Sequence, residues 1–429
     1  MVGRAPETKM RISRKCFARL YLWNRSDGSG TVSRLNFLSP ISTVALLILT
    51  LTAHSQTAAK QAGTTDDDEP SATEMRLLNS EWWPTKAAAS RDEYSGSAAC
   101  ARCHAEKVTS YASTQMAHAL APINSATMPE LTKRPLHRTI GSYNYSLEQT
   151  PAGTMFSVSN GTESLSAAIG WVFGVGEIGR TYVYEQSNRF YESHLSYYSQ
   201  LQNLDFTTGH PRLVPDKLEL ALGRPIADPG ACFSCHSTEA TIGNHFDPQH
   251  LIPGVTCEGC HGPGAEHVAL MSAGQSGQVP SMIFDPAKLS PVAAVDFCGA
   301  CHRTSVDVSF LGVSGRFTLR FPAYRLQGSR CWSKPDSRLT CFACHDPHQP
   351  LVRETSSYDK NCLACHRGGL ENKTASSRQD AHSPRTAPSC PVAQKECVTC
   401  HMPRYQVQEM HATFTDHTIA IYKEAPKSN

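Results

Sequence analysis

The feature that most constrains this chain is a five-residue pattern, Cys, two residues, Cys, His. It occurs seven times: Cys100/Cys103/His104, Cys232/Cys235/His236, Cys257/Cys260/His261, Cys298/Cys301/His302, Cys341/Cys344/His345, Cys362/Cys365/His366 and Cys397/Cys400/His401. Two copies lie close together between Ala231 and His267. Thiols three positions apart can add to the two vinyl groups of one haem, and the histidine that follows is then held under the iron as its proximal ligand. At the chain's cysteine and histidine frequencies, about 0.03 such patterns are expected by chance. Zinc ribbons and disulfides also use closely spaced cysteines, but neither explains a histidine directly after every second cysteine. The pattern predicts seven c-type haems on fourteen thiols, with seven proximal histidines.

Macrocycles of that size supply apolar surface that a helix bundle otherwise provides. With 27 prolines and 28 glycines in 429 residues, the expectation is a mainly α chain with long loops, organised around seven covalently bound haems. A small β-rich insertion is expected between the first and second motifs. The expected segments are an export signal at 1–55, a flexible linker at 56–92, a first haem-binding segment at 93–130, a β-rich insertion at 131–228 and a six-haem domain at 229–425.

The N-terminus is basic from Arg4 to Arg34 and continues into an apolar run from Ile41 to Ala53. It reads as an export signal cleaved near Ala53 or Ser55. The alternative is an uncleaved anchor, for which the run is short against the span of about 20 residues a membrane helix needs. Without residues 1–55 the chain keeps 32 basic and 36 acidic residues, which excludes the basic face of a nucleic-acid binder. Export places the chain in the periplasm, with periplasmic or membrane-associated redox proteins as partners and no extended transmembrane region after cleavage. The linker is rich in Ala, Thr, Ser and acidic residues, as a tether is.

Between Arg134 and Tyr198 apolar and polar residues alternate in short runs such as SYNYSLEQ and RTYVYEQ, separated by turn residues. That is a hairpin pattern. Ser290 followed by Pro291 opens a capped helix into the fourth motif.

Bis-His coordination requires a second ligand per iron. Met116 or His118 follows the first motif on the same helical pattern, Met giving the higher potential and His the lower. His194 and His210 are candidates delivered by the β segment. His267, His348, His411 and His417 are the remaining distal candidates. His267 follows His261 too closely to pass round its own macrocycle, so it is expected to serve a neighbouring haem. Cys331 and Cys390 belong to no motif and form either one disulfide or two free thiols.

From about Gly96 to Lys423 the chain resembles the multihaem cytochromes c related to the tetrahaem cytochrome c of nitrification, with hydroxylamine oxidoreductase and pentahaem nitrite reductase as wider relatives. The residues that carry this are GSAACARCH at Gly96–His104, CEGCHGPGAEH at Cys257–His267, LTCFACHDPH at Leu339–His348 and CVTCHMP at Cys397–Pro403. The resemblance implies mostly α structure, stacked haem pairs, periplasmic electron transfer and a distal role for His267. Two departures matter: no motif ends in Lys, and no Tyr matches a haem cross-link by motif. The leading expectation is an electron relay through mostly bis-His haems. The alternative is an oxidoreductase acting on a small nitrogen or sulfur compound at one five-coordinate haem, for which no catalytic residue is nominated.

Overall fold

The computed structural model of the protein describes residues 89–123, 128–131, 134–174, 178–242, 245–275, 283–332, 339–366 and 390–422. The chain divides into two units, 1–64 and 65–429, and every described residue belongs to the second. The expected export signal and nearly all of the linker lie outside the described residues.

A long helix, α1 (Ser97–Tyr111), carries the first motif and breaks at His104, whose backbone (φ −116°, ψ 37°) is not helical. A ten-stranded antiparallel sheet follows. Its strands are β1 (Leu120–Pro122), β2 (Leu136–Ile140), β3 (Tyr143–Thr150), β4 (Gly153–Ser159) and β5 (Ser164–Phe173). Then come β6 (Gly179–Gln186), β7 (Arg189–Ser193), β8 (Leu195–Tyr198), β9 (Asn203–Phe206) and β10 (Gly223–Pro225). The main path runs β10-β7-β6-β5-β4-β3-β2, with β1 on β5, and β8 joining β6 to β9.

Side-chain alternation explains the strands. β3 turns Tyr143, Tyr145 and Leu147 inward, and β4 turns Thr154, Phe156 and Val158 inward. The apolar ones pack with Val172, Tyr182, Leu195 and Leu204 into one core. Between β6 and β7, Ser187 and Asn188 both take positive φ (52° and 58°), the two-residue turn that matches strand twist.

This sheet overturns the mainly α expectation. Among the described residues 26% are strand and 35% helix, and the β segment is no small insertion. Its alternating residues bury one another directly, so the sheet has a core of its own.

The later motifs ride on short helices: α3 (Pro229–His236), α4 (Cys257–His261), α6 (Pro291–His302), α9 (Asp359–His366) and α10 (Cys397–His401). The fifth motif opens on a 3-10 turn, Cys341–Ala343. Other helices are α2 (Leu218–Leu222), α5 (Ala265–Ser272), α7 (Ser305–Leu311) and α8 (Pro322–Gln327). Phe233 of α3 is fully buried against Trp171, Phe173, Phe190 and Phe246, joining the second motif to the sheet. No helix among the described residues is long and apolar enough to cross a membrane.

Candidate haem sites

The helices that present the motifs are capped locally. Asp228 accepts from the Ala231 N–H (3.3 Å) ahead of Pro229, and Ser290 accepts from the Ala293 N–H (3.3 Å) ahead of Pro291. In a helical turn the two cysteines and the histidine at spacings of three and four share one face.

None of the fourteen motif cysteines is in a disulfide, and none is fully buried. Cys103, Cys232, Cys344 and Cys400 are exposed. Cys100, Cys235, Cys257, Cys260, Cys298, Cys301, Cys341, Cys362, Cys365 and Cys397 are half-buried. The second thiols of the fourth, sixth and seventh motifs therefore differ in setting. Cys301 lies in the last turn of α6 and Cys365 in that of α9, both partly covered, whereas Cys400 of α10 is open to solvent. Cys331 and Cys390, for which a disulfide and two free thiols were both open, are free thiols here; Cys331 lies close enough to Cys365 and Cys362 for each to raise its thiol, after burial.

The histidines that end three motifs are oriented by backbone carbonyls. His236 Nδ1 donates to Ala119 O (3.1 Å), His261 Nδ1 to Phe284 O (2.8 Å) and His401 Nδ1 to Ala420 O (2.8 Å). A carbonyl only accepts, so Nδ1 carries the proton and Nε2 keeps its lone pair. A second hydrogen bond that fixes the tautomer is the usual support of a metal-binding imidazole. His104 and His366 are exposed. His302 is exposed to solvent, yet surrounding atoms and the neighbouring His236 and His345 hold its imidazole below the ordinary value. These observations fit a covalently attached macrocycle.

Two distal candidates face proximal histidines. His348 stacks against His261 with ring centroids 6.0 Å apart and planes at 8°, and its Nδ1 is held by Asp346 (3.3 Å). His417 faces His345 at 6.3 Å and 43°, with its Nδ1 donating to Thr415 O (3.1 Å). Two imidazoles bound on opposite sides of one metal, each nitrogen about 2 Å from it, have ring centroids about 6 Å apart, and the separations of both pairs match that distance. Burial holds His345 below its ordinary value and pushes His417 down to about 4, so both rings are neutral and able to donate a lone pair at pH 7.

Other candidates have Nε2 engaged elsewhere. His118 is exposed, with Nε2 2.7 Å from Ala112 O. His411 gives Nε2 to Asp205 (2.7 Å). His210 gives Nε2 to Glu192 (2.9 Å) and sets Nδ1 3.4 Å from Nδ1 of buried His194. Met116 is half-buried beside the first motif, and His267 is half-buried on α5.

Contacts between motifs were not visible in the sequence. Glu258, inside the third motif and 2% exposed, accepts from the N–H groups of Ser95 (2.8 Å), Gly96 (2.9 Å) and Gly264 (2.8 Å). It thereby clamps the N-terminus of α1. Gly254 makes the same junction tight: its φ is +73°, and a Cβ there would stand 2.2 Å from Ala117 O. Asp359, on the helix of the sixth motif, accepts from Glu396 N and Cys397 N (both 2.8 Å) at the start of α10.

The thiols report the same neighbours. Burial, then the nearby Cys257, pushes Cys100 up to about 11. The Cys298 thiol donates to Cys341, which holds Cys341 below its ordinary value and raises Cys298. Burial, then Asp359 and Cys362, pushes Cys397 up to about 12. Cys260 also acts on Cys298, and Cys362 on Cys344. Cys235 donates to Ala300 O (3.6 Å), placing the second motif against the fourth, next to Cys301.

A family model described as cytochrome c554 and c-prime matches residues 212–262, which contain the second and third motifs. Over that stretch the chain is similar to a c-type cytochrome family. The chain is 21% identical over 224 residues to the multiheme cytochrome MtrA of Shewanella baltica (strain OS185), a match covering 48% of the chain and 55% of that protein. The chain thus spans about half the length of the curated relative it matches. The crystal structure of outer cell wall cytochrome OcwA aligns with a TM-score of 0.42 and 13% identity, over 76% of this chain and 79% of that one.

Proposed function

We propose that this chain is an exported electron relay of seven covalently bound haems, passing electrons between periplasmic or membrane-associated redox proteins. The observation that supports it best is the unbroken row of neighbouring motifs: first, third, fourth, fifth, sixth and seventh, with the second attached beside the fourth. Each motif's two thiols would hold one haem and its histidine would bind the iron, which would supply one-electron redox chemistry. The chain's own contribution is position. Nδ1 anchors at His236, His261 and His401 direct lone pairs to the iron side, and His348 and His417 serve as distal ligands of the third and fifth motifs. Glu258 and Asp359 fix the spacing of motif pairs.

The test is a haem count by mass and pyridine haemochrome on the mature protein, joined to low-temperature EPR. Seven haems with low-spin signals alone are expected. Bound zinc in place of haem overturns the cofactor reading, and a stoichiometric high-spin signal from one haem overturns the pure relay in favour of an enzyme with an open iron.

A further inference from the structure

A cleft of about 290 Å³ opens between the segment that leads into β2 and the paired ends of β6 and β8. Glu130, Arg134 and Leu136 line it from the first side, and Arg180, Tyr197 and Gln202 from the second. None of its described lining residues is a motif cysteine or a candidate iron ligand, so the relay does not use it.

Strand register builds one wall. Arg180 of β6 stands directly opposite Tyr197 of β8, so the two side chains leave the same face of the sheet, and the Arg180 guanidinium lies 5.6 Å from the centre of the Tyr197 ring. Tyr182, two positions along β6, shares that face, and its fully buried hydroxyl has no hydrogen-bond partner among the described residues. Leu136 and Tyr197 are buried, whereas Arg134 and Gln202 are exposed at the mouth.

Glu130 is the member that points to a ligand. Its side chain is 8% exposed, and that of Arg180 is 11% exposed. Arg180 Nη1 stands 3.4 Å from Glu130 Oε2, beyond the about 2.7–2.9 Å of a charge-assisted hydrogen bond. Neither carboxylate oxygen of Glu130 has a hydrogen-bond partner among the described residues. A carboxylate held out of water without donors is costly, and buried polar groups of folded proteins are as a rule satisfied by some partner. Here the open side of Glu130 is the cleft.

Charge then selects the occupant. A simple anion would meet the Glu130 carboxylate, and a simple cation would meet two guanidiniums. The complementary molecule carries one ammonium and two carboxylates. The volume stands at the lower end of small-molecule pockets, about 300 Å³, so that molecule is small.

We propose that this cleft binds a small amino dicarboxylate, its ammonium donating to Glu130 and its carboxylates accepting from Arg134 and Arg180. The assignment does not depend on the relay reading.

The test is isothermal titration calorimetry of the intact holoprotein with L-aspartate and L-glutamate. Succinate and L-alanine serve as controls, since the first lacks the ammonium and the second lacks one carboxylate. At least one amino dicarboxylate is expected to bind, with both controls weaker by about tenfold or more, the loss of one charge-assisted hydrogen bond. Glu130→Gln, which keeps the side chain's size, and Arg134→Gln, at the exposed mouth, are each expected to weaken binding by about tenfold or more with the haem count unchanged. Arg134→Gln remains informative if Glu130→Gln fails to fold. Absence of binding by both amino dicarboxylates overturns the proposal and leaves Glu130 to solvent. Succinate or L-alanine binding as tightly as the better amino dicarboxylate overturns it too, as does parental affinity in either variant.

Discussion

The imidazoles of His261 and His348 are nearly parallel, their planes 8° apart and their centroids 6.0 Å apart. They are supplied by segments on either side of the fourth motif, and each has its Nδ1 already committed, His261 to Phe284 O and His348 to Asp346. Under the proposed ligation, replacing His348 by Ala leaves one iron without a nitrogen ligand. One haem is expected to become high-spin in the ferric EPR spectrum, with the haem count unchanged. His417→Ala is expected to do the same at the fifth motif. A low-spin spectrum identical to the parent's in either variant removes that residue from the ligand set.

Glu258 accepts three backbone N–H groups from buried or half-buried positions. Glu258→Ala leaves them without a charged acceptor and is expected to cost about 3 kcal/mol. Glu258→Gln keeps one acceptor oxygen and is expected to cost about half of that. Thermal unfolding of the holoprotein measures both. Equal stability of parent and Ala variant shows that the clamp is dispensable.

Asp359 is held below the ordinary carboxyl value of 3.8, first by the Cys397 N–H and also by that of Glu396. A carboxyl whose folded value is depressed stabilises the fold above its unfolded value, and that stability disappears as pH falls through the folded value. The junction of the sixth and seventh motifs is therefore expected to loosen below about pH 4, the ordinary carboxylate range. Hydrogen exchange of the Cys397 amide should rise over that interval in the parent. In Asp359→Asn it should be raised already at neutral pH and flat through the acid range.

Phe233 has no exposed surface and touches four aromatic rings contributed by the sheet and by Phe246. Phe233→Ala is expected to cost about 3–5 kcal/mol by opening a cavity. Chemical denaturation measures the loss. A loss below about 1 kcal/mol would show that the helix does not depend on this contact.

The candidate attachment residues were legible as a pattern because covalent haem chemistry would fix their spacing within five positions. How open each one stands was not, since Cys365 and Cys400 occupy the same place in their motifs yet one is partly covered and the other exposed. The hairpin pattern was legible as well, because alternation along β3 and β4 is local. The extent of the sheet was not, because β1 and β10 are three-residue strands recruited by pairing with β5 and β7. Candidate distal ligands were legible only as a surplus of histidines. His411 and His348 look alike as isolated letters, but Asp205, 206 positions away, takes the Nε2 of one, while His261 faces the other. The carbonyl anchors at Ala119, Phe284 and Ala420 carry no sequence signature, since every residue has a carbonyl. Glu258 was hidden for a different reason: it occupies a position of the attachment motif that the haem chemistry leaves free.

The Glu258 clamp also sets an order of events during synthesis. Ser95 and Glu258 are 163 positions apart, so the first motif emerges long before its partner exists. Throughout that interval Cys100 and Cys103 sit on an undocked segment, open to whatever machinery modifies them. The first motif therefore cannot reach its docked position until a residue 163 positions downstream of Ser95 has been made.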